Sequence, residues 1–348
     1  MASRLLDGVL GALSQDMAID LGTANSLLHV RGRGVVCREP SVVALHTNHK
    51  GQKSVLAAGA EAREMLGRAP ADIRVVRPLR DGVIADFEVT EAMLRLFMHA
   101  SMGPNHIVRP RCVVCIPYGT TEVEKRAMRE CAEAAGAREV HLVEEPLAAA
   151  IGAGLDITEP SGNMIVDVGG GTTEVAVVSM GGIVYSRSVR VGGDQMDAAI
   201  INYIKDNRGL LIGPITAEEI KIKLGNAAAL KRDPALSIEV RGRDLVTGWP
   251  RAVRVGSGEV REALASTVQL LVDTLLAALE KTPPELASDI VDKGIVLTGG
   301  AAQLKRLDLA MRQATGLPVI VADDPEAAVV AGAGKALAHI DFLRAVAC

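Results

Sequence analysis

Aromatic side chains are nearly missing from this chain. Trp, Tyr and Phe make up 2% of its 348 residues, and there is a single Trp. That scarcity removes the stacking platforms on which single-stranded nucleic acids bind. A net charge of −4 supplies no basic field to draw them in, so nucleic acid is not an expected partner. Cysteine is sparse too. The five residues Cys37, Cys112, Cys115, Cys131 and Cys348 form an odd set that suits a reducing compartment and offers no disulfide framework. Cys112 and Cys115 have the spacing of a redox or metal pair. They sit, however, in Cys-Val-Val-Cys-Ile-Pro, which reads as a buried strand with the two thiols on opposite faces, and no second ligand pair accompanies them. His46 and His49 fall in a polar loop and read as solvated. No apolar run approaches the roughly 20 residues that span a bilayer. A Walker A loop is absent as well: Gly332-Ala-Gly-Lys335 lacks the upstream glycine spacing and is followed by Ala336, so it reads as a closely packing small-residue helix.

What is present is a globular composition, 49% hydrophobic and 23% charged, in a chain long enough for two domains. The most informative stretch is Asp167-Val-Gly-Gly-Gly-Thr-Thr-Glu174. An apolar run, Met164-Ile-Val166, precedes it and another, Val175-Ala-Val-Val178, follows, which predicts strand, tight turn, strand. Glycines Gly169, Gly170 and Gly171 let the backbone come close to a ligand, and successive N–H groups in such a turn form an anion-binding concavity. Asp167 stands where the first strand ends, and an acid beside a phosphate-sized nest makes sense if a divalent cation lies between them. A second copy occupies 17–30, where Asp20, Gly22, Thr23, Ala24 and Asn25 form the turn between two apolar runs. One Asp-x-Gly hairpin is ordinary turn chemistry. Two of them suggest two similar halves facing one nucleotide.

These residues carry a resemblance to the superfamily of actin, the seventy-kilodalton heat-shock chaperones and the sugar kinases, and more narrowly to the MreB family of bacterial actins. The matching stretches are Asp20-Leu-Gly-Thr-Ala-Asn25, Glu39-Pro-Ser-Val-Val-Ala44, Arg77 to Asp86, Glu144 to Gly152, Asp167 to Glu174, Val191-Gly-Gly-Asp194 and Leu297-Thr-Gly-Gly300, in one order over about residues 17–340. The resemblance implies an α/β, actin-like duplicated fold of ribonuclease H type with ATP in the central cleft. The expected division is 1–151 for the first half, with a subdomain inserted at about 38–71; 152–324 for the second, with one at about 188–254; and 325–348 as a closing helix packing back on the first half. It also implies that Asp20 and Asp167 hold Mg²⁺ through water and that the Gly22-Thr23 and Gly169–Thr172 backbones clasp phosphates. Glu145, the acid before Pro146, and Thr172 would activate the attacking water.

Other elements read in chain order. Thr90 is a candidate N-cap for a helix to Ala100. Thr121-Glu-Val-Glu124 is a capping box for a helix ending at Gly136. Pro146 is placed at the first position of the next helix, where Glu145 is equally explained as an acid favoured by the helix dipole. Gly192-Gly193-Asp194 opens a helix with Asp194 as N-cap. That turn suits a phosphate or ribose, and it is also an ordinary capped turn; the resemblance places it beside the phosphates. Thr216-Ala-Glu-Glu219 is a second capping box. Glu218 and Lys221, three apart, read as a solvated pair by spacing and as ribose and adenine contacts by resemblance. Lys223 stands where the family pattern has an acid. Ser257 caps a long amphipathic helix that Pro283-Pro284 stops. The strand 294–298 runs into Gly299-Gly300, the usual nucleotide position at the end of a strand in an α/β sheet, and Ala301 replaces the third glycine of the family pattern.

At the N-terminus, Leu5, Leu6, Val9, Leu10 and Leu13 fall on one helical face. This segment is a frayed end, a docked core helix or an interfacial membrane anchor. Its one base, Arg4, and one acid, Asp7, lend little attraction to anionic lipid. The resemblance favours the anchor. It implies an ATPase that polymerises into filaments with itself on the inner face of the bacterial cell membrane, organising cell shape and cell-wall synthesis with elongation proteins such as RodZ. The alternatives within the superfamily are a soluble chaperone-like ATPase or small-molecule kinase, or a weakly hydrolysing membrane scaffold.

Overall fold

The computed structural model describes residues 15–102, 108–229 and 234–338; the segment carrying Leu5, Leu6, Val9, Leu10 and Leu13 lies outside these. Two five-stranded sheets dominate. The first contains β1 (Met17–Leu21), β2 (Asn25–Val30), β3 (Gly34–Pro40), β4 (Arg111–Ile116) and β5 (Glu139–Glu144), in the spatial order β5-β4-β1-β2-β3. The second contains β6 (Asn163–Val168), β7 (Thr173–Ser179), β8 (Gly182–Val189), β9 (Ile295–Thr298) and β10 (Val319–Val321), in the order β8-β7-β6-β9-β10. The two orders are the same once each sheet is numbered from its own first strand. Directions match too: the first three strands of each sheet are antiparallel neighbours and the last two join parallel. The duplication inferred from two short hairpins therefore extends to the whole of both sheets.

Every residue of β1, β6 and β7 is buried, as expected for apolar runs covered on both faces. One face of the first sheet packs Met17, Ile19 and Leu28 on the helices Phe87–Ser101 and Glu122–Ala135. Its other face packs Ala18, Leu27 and Val113 on the helices Glu145–Gly152 and Ala328–Ala338, and the same layer takes Ile165, Ala176 and Val178 from the second sheet. Two short helices thus lie between the sheets and join the halves. Cys112 faces the outer layer and Cys115 the central one, the opposite-face placement expected of a buried strand. The two central helices cross nearly in backbone contact. A Cβ on Gly332 would lie 1.8 Å from the Ala148 carbonyl oxygen, and one on Gly152 would lie 1.8 Å from that of Ala328. The Gly-Ala-Gly-Lys segment is accordingly a packing surface, and Lys335 Nζ donates to the Ile151 carbonyl at 2.9 Å.

Several local expectations are corrected. The helix assigned to start at Thr90 starts at Phe87, because the Asp86 carboxylate accepts from Val89 N; Thr90 is buried one turn inside. Thr216 does not cap either: the helix Pro214–Leu224 begins two residues earlier, with Pro214 in its first turn. Glu145 takes the first helical position and Pro146 the second. Gly256, not Ser257, caps the long helix Ser257–Lys281, and the Glu259 carboxylate receives its N–H. That helix is by length and composition apolar enough to cross a membrane, which run length alone did not reveal. Its Leu264, Leu271 and Leu275 are buried in the second-half core. Among the elements not anticipated are the strand Lys53–Ala58 and the helix Pro284–Lys293. The strand joins Val43–Thr47 and Ile73–Val76 in a small sheet that extends past the 38–71 span.

Candidate functional site

The two Asp-Gly hairpins meet between the halves. Asp20 is the penultimate residue of β1, opposite Leu27, and Asp167 the penultimate residue of β6, opposite Glu174. The turns touch: a Cβ on Gly170 would fall 2.5 Å from the Ala24 Cβ, so this glycine is required by the approach of the other hairpin. The first turn is held from behind. Ser41 Oγ donates to Gly22 O at 2.6 Å, and Thr23 Oγ1 accepts from Gly82 N at 2.9 Å. Beneath both turns opens a cavity of about 440 Å³.

Asp20, Gly22, Thr23, Ala24 and Asn25 line this cavity on one side, and Asp167 with Gly169, Gly170, Gly171 and Thr172 on the other. Glu145 reaches the same space from its helix, and Gly299, Gly300 and Ala301 close the end of β9. Gly193 and Asp194 belong to the wall but Gly192 does not. The helix Gly193–Arg208 has Gly192 as its cap, so Asp194 is not the cap. Its first N–H groups are also already used: Gly193 N donates to Gly169 O at 3.0 Å and Asp194 N to Gly170 O at 2.8 Å. This helix braces the second hairpin turn from behind. Asp194 instead pairs with Arg77 across the cleft, Nη1 to Oδ1 at 2.8 Å.

Glu218 and Lys221 both line the far end of the cavity but do not pair with each other. Glu218 pairs with Arg63 of the other half, and Lys221 Nζ donates to Asp197 Oδ2 and Gly193 O, each at 3.0 Å. Lys223 turns outward to Glu219 at 3.2 Å. Sequence reasoning missed four participants. Thr298 Oγ1 donates to Asp167 Oδ1 at 2.8 Å; Glu326 Oε1 accepts from Asn25 Nδ2 at 2.7 Å; Arg63 and Arg77 bridge the cleft. The threonine lies in the Leu297-Thr-Gly-Gly stretch, where the glycines carry the stronger signal. Arg77 heads one of the matching stretches, which did not reveal its role; no local signal marks Glu326 or Arg63, and all three have partners remote in sequence.

Four carboxylates lie nearly out of solvent here: Asp20, Glu145, Asp167 and Glu174 are between 1% and 9% exposed. Burying like charges together favours the protonated forms. Burial, then Asp167 and Glu326, pushes Asp20 up to about 8. Burial raises Asp167 to about 6, against the pull of the Thr298 hydroxyl. Glu145 is raised by burial and then by Glu174, Asp20 and Asp167. Glu174 is raised to about 8 by burial and then by Asp167, against the Tyr118 N–H it accepts at 3.1 Å. Such a site is completed by positive charge. The donors are all oxygen, the choice of a hard cation, and among the described residues no three His, Cys, Asp or Glu side chains converge to hold a metal ion directly. Two carboxylates with water between fit Mg²⁺, which keeps much of its hydration shell.

Residues 14–345 match the family model described as MreB/Mbl protein. The chain is 54% identical over 335 residues to the cell shape-determining protein MreB of Escherichia coli (strain K12), covering 95% of this chain and 96% of that one. It is 50% identical over 330 residues to the cell shape-determining protein Mbl of Bacillus subtilis (strain 168), covering 95% and 98%. The crystal structure of MreB 5 of Spiroplasma citri bound to AMPPNP has a TM-score of 0.87 at 37% identity, covering 93% of this chain and 96% of that one. The duplicated architecture is thus the actin-like fold, and the chain belongs to the MreB/Mbl family.

Proposed function

We propose that this protein binds ATP with Mg²⁺ in the cleft, hydrolyses it, and polymerises into filaments on the inner face of the cell membrane that organise cell shape and cell-wall synthesis. The observation that carries the nucleotide reading is the meeting of two Asp-Gly hairpins over one cavity lined by both carboxylates. The AMPPNP bound by MreB 5 of Spiroplasma citri supports the ligand class, and the names of the relatives support the cellular role.

In this reading the N–H groups of the two turns receive the β- and γ-phosphates. Asp20 and Asp167 hold hydrated Mg²⁺, which supplies positive charge to the phosphate oxygens. Glu145 accepts a proton from the attacking water, and the Thr172 hydroxyl orients that water. Placing a nucleophile in line is most of what a protein contributes to phosphoryl transfer. Glu218 and Lys221 take the ribose and base end. Closure of the halves, divided at about residue 151 and spanned by the closing helix from 325, carries nucleotide state to subunit contacts. Contacts of head-to-tail type need not close into a ring and so build filaments. Residues 1–14 anchor the filament through Leu5, Leu6, Val9, Leu10 and Leu13, and elongation proteins of the RodZ kind bind it.

Phosphate release separates this reading from a passive scaffold. Glu145→Ala should lower turnover about 10²- to 10⁴-fold, the range for loss of a general base, while ATP binding persists. Equal turnover in wild type and variant would remove Glu145 from the chemistry.

A further inference from the structure

The end of the first sheet opposite the cavity is where residues 1–14 enter the described structure. Four neighbouring strands present their ends there. Asp16 precedes β1, and its carbonyl accepts from Arg31 N at 3.0 Å in the turn joining β2 to β3. On the other side of β1, Arg111 opens β4 and its guanidinium is held by the Asp16 carboxylate at 2.7 Å. Pro110 O then accepts from Arg138 N at 2.8 Å, just before β5. These backbone ties fix Arg31 and Arg138, with Arg109 next to the tied Pro110, at one end of the sheet. With strands about 4.8 Å apart, the row spans roughly 15 Å. All three are exposed, and none has an ion-pair partner among the described residues. Arg33, in the same turn as Arg31, donates to Ser101 O at 2.8 Å. The acids at this end are few. Asp16 is taken by Arg111, Glu139 by His141 at 2.9 Å, and Glu133 is exposed in the last turn of the preceding helix.

Positive charge is thus collected around the root of a segment with an apolar face and almost no charge of its own. We infer that Arg31, Arg109 and Arg138 form a cationic docking rim for the anionic headgroups of the lipid surface into which residues 1–14 insert. The inference rests on the membrane association proposed above. The segment supplies burial, the folded rim supplies electrostatic attraction, and two such signals together give an anchoring that one short amphipathic helix does not. The rim also sets orientation: it lies at the far end of β1 from Asp20, so docking leaves the nucleotide cleft facing away from the membrane.

The test is vesicle binding by the full chain, on phosphatidylcholine alone and on phosphatidylcholine with one-third phosphatidylglycerol. The wild type is compared with the variant Arg31→Gln/Arg109→Gln/Arg138→Gln and with Leu6→Asp/Leu10→Asp. The wild type should prefer the anionic vesicles, and a Debye length shortened by salt should erase the preference. The arginine variant should bind anionic vesicles roughly 100-fold more weakly, the loss expected for three basic residues at an anionic surface, with its melting temperature unchanged. If it keeps wild-type affinity while the leucine variant loses it, the rim is refuted and the anchor stands. If the leucine variant binds as wild type and the arginine variant does not, the rim stands and the anchor fails. Absence of binding to either vesicle refutes both.

Discussion

Glu145 is the residue on which the chemical reading turns, and its neighbours set its behaviour. It is buried with Asp20, Asp167 and Glu174, all of which favour its protonated form, yet a base must be ionised to accept a proton. In the proposed reading Mg²⁺ would supply the positive charge that lets these carboxylates ionise, so nucleotide binding should depend on the divalent cation. Chelation should release ATP, read as loss of its thermal stabilisation, and retention of full affinity in excess chelator would contradict the assignment of Asp20 and Asp167. Thr298 offers a quieter test. Thr298→Val removes the hydroxyl that Asp167 accepts at 2.8 Å and leaves a buried acceptor short of a partner. The unfolding free energy by urea should fall about 1–3 kcal/mol. At this scale the sequence was legible where residue type and local spacing carry the role, as in the two Asp-Gly turns. It was silent on Glu326, which reaches Asn25 from 301 positions away, and on how Glu218 and Lys221 divide between other partners.

Among elements, the two helices between the sheets hold the described glycines with the least room for a Cβ, Gly152 and Gly332. The Gly332 Cα lies where any side chain would enter the Ala148 carbonyl. Gly332→Val should therefore push the helices apart and cost about 3 kcal/mol or more, beyond the usual range for overpacking because backbone cannot yield as a side chain can. A wild-type melting temperature for this variant would mean that the crossing is not as close as described. Elements with an unbroken apolar period were readable from the chain, among them the central strands and the Thr121 helix with its capping box. Strand Lys53–Ala58 was not, because it is an edge strand of a small sheet with most of its residues in contact with water. The helix Pro284–Lys293 was hidden because a proline pair that stops one helix also suits the first turn of the next. A competing cap accounts for the shifted start of the helix Phe87–Ser101: Asp86, one turn before Thr90, takes the free N–H first.

The whole molecule is two sheets of one topology joined by a shared helical layer and closed across the cleft by ion pairs. Arg63 to Glu218 and Arg77 to Asp194 connect the first half to the second at the cavity mouth. Partly exposed pairs contribute little each, about 0.2–1 kcal/mol. Arg63→Ala/Arg77→Ala should therefore speed release of a fluorescent ATP analogue only roughly two- to thirtyfold. An unchanged rate would show that the cleft opens elsewhere. Two similar halves were legible at this scale because the hairpin is repeated, and the fold class because the motifs, in their order, resemble those of the actin superfamily. The joint between halves was not, since it depends on helices whose small residues carry no signal until their partner is known.

The most direct measurement is pelleting of the purified full chain with and without ATP–Mg²⁺, with electron microscopy of the pellet. Filaments that form with ATP–Mg²⁺ and fail in Asp167→Ala are the predicted result. Filaments equally abundant without nucleotide, or no assembly in any nucleotide state, would contradict a nucleotide-governed polymer.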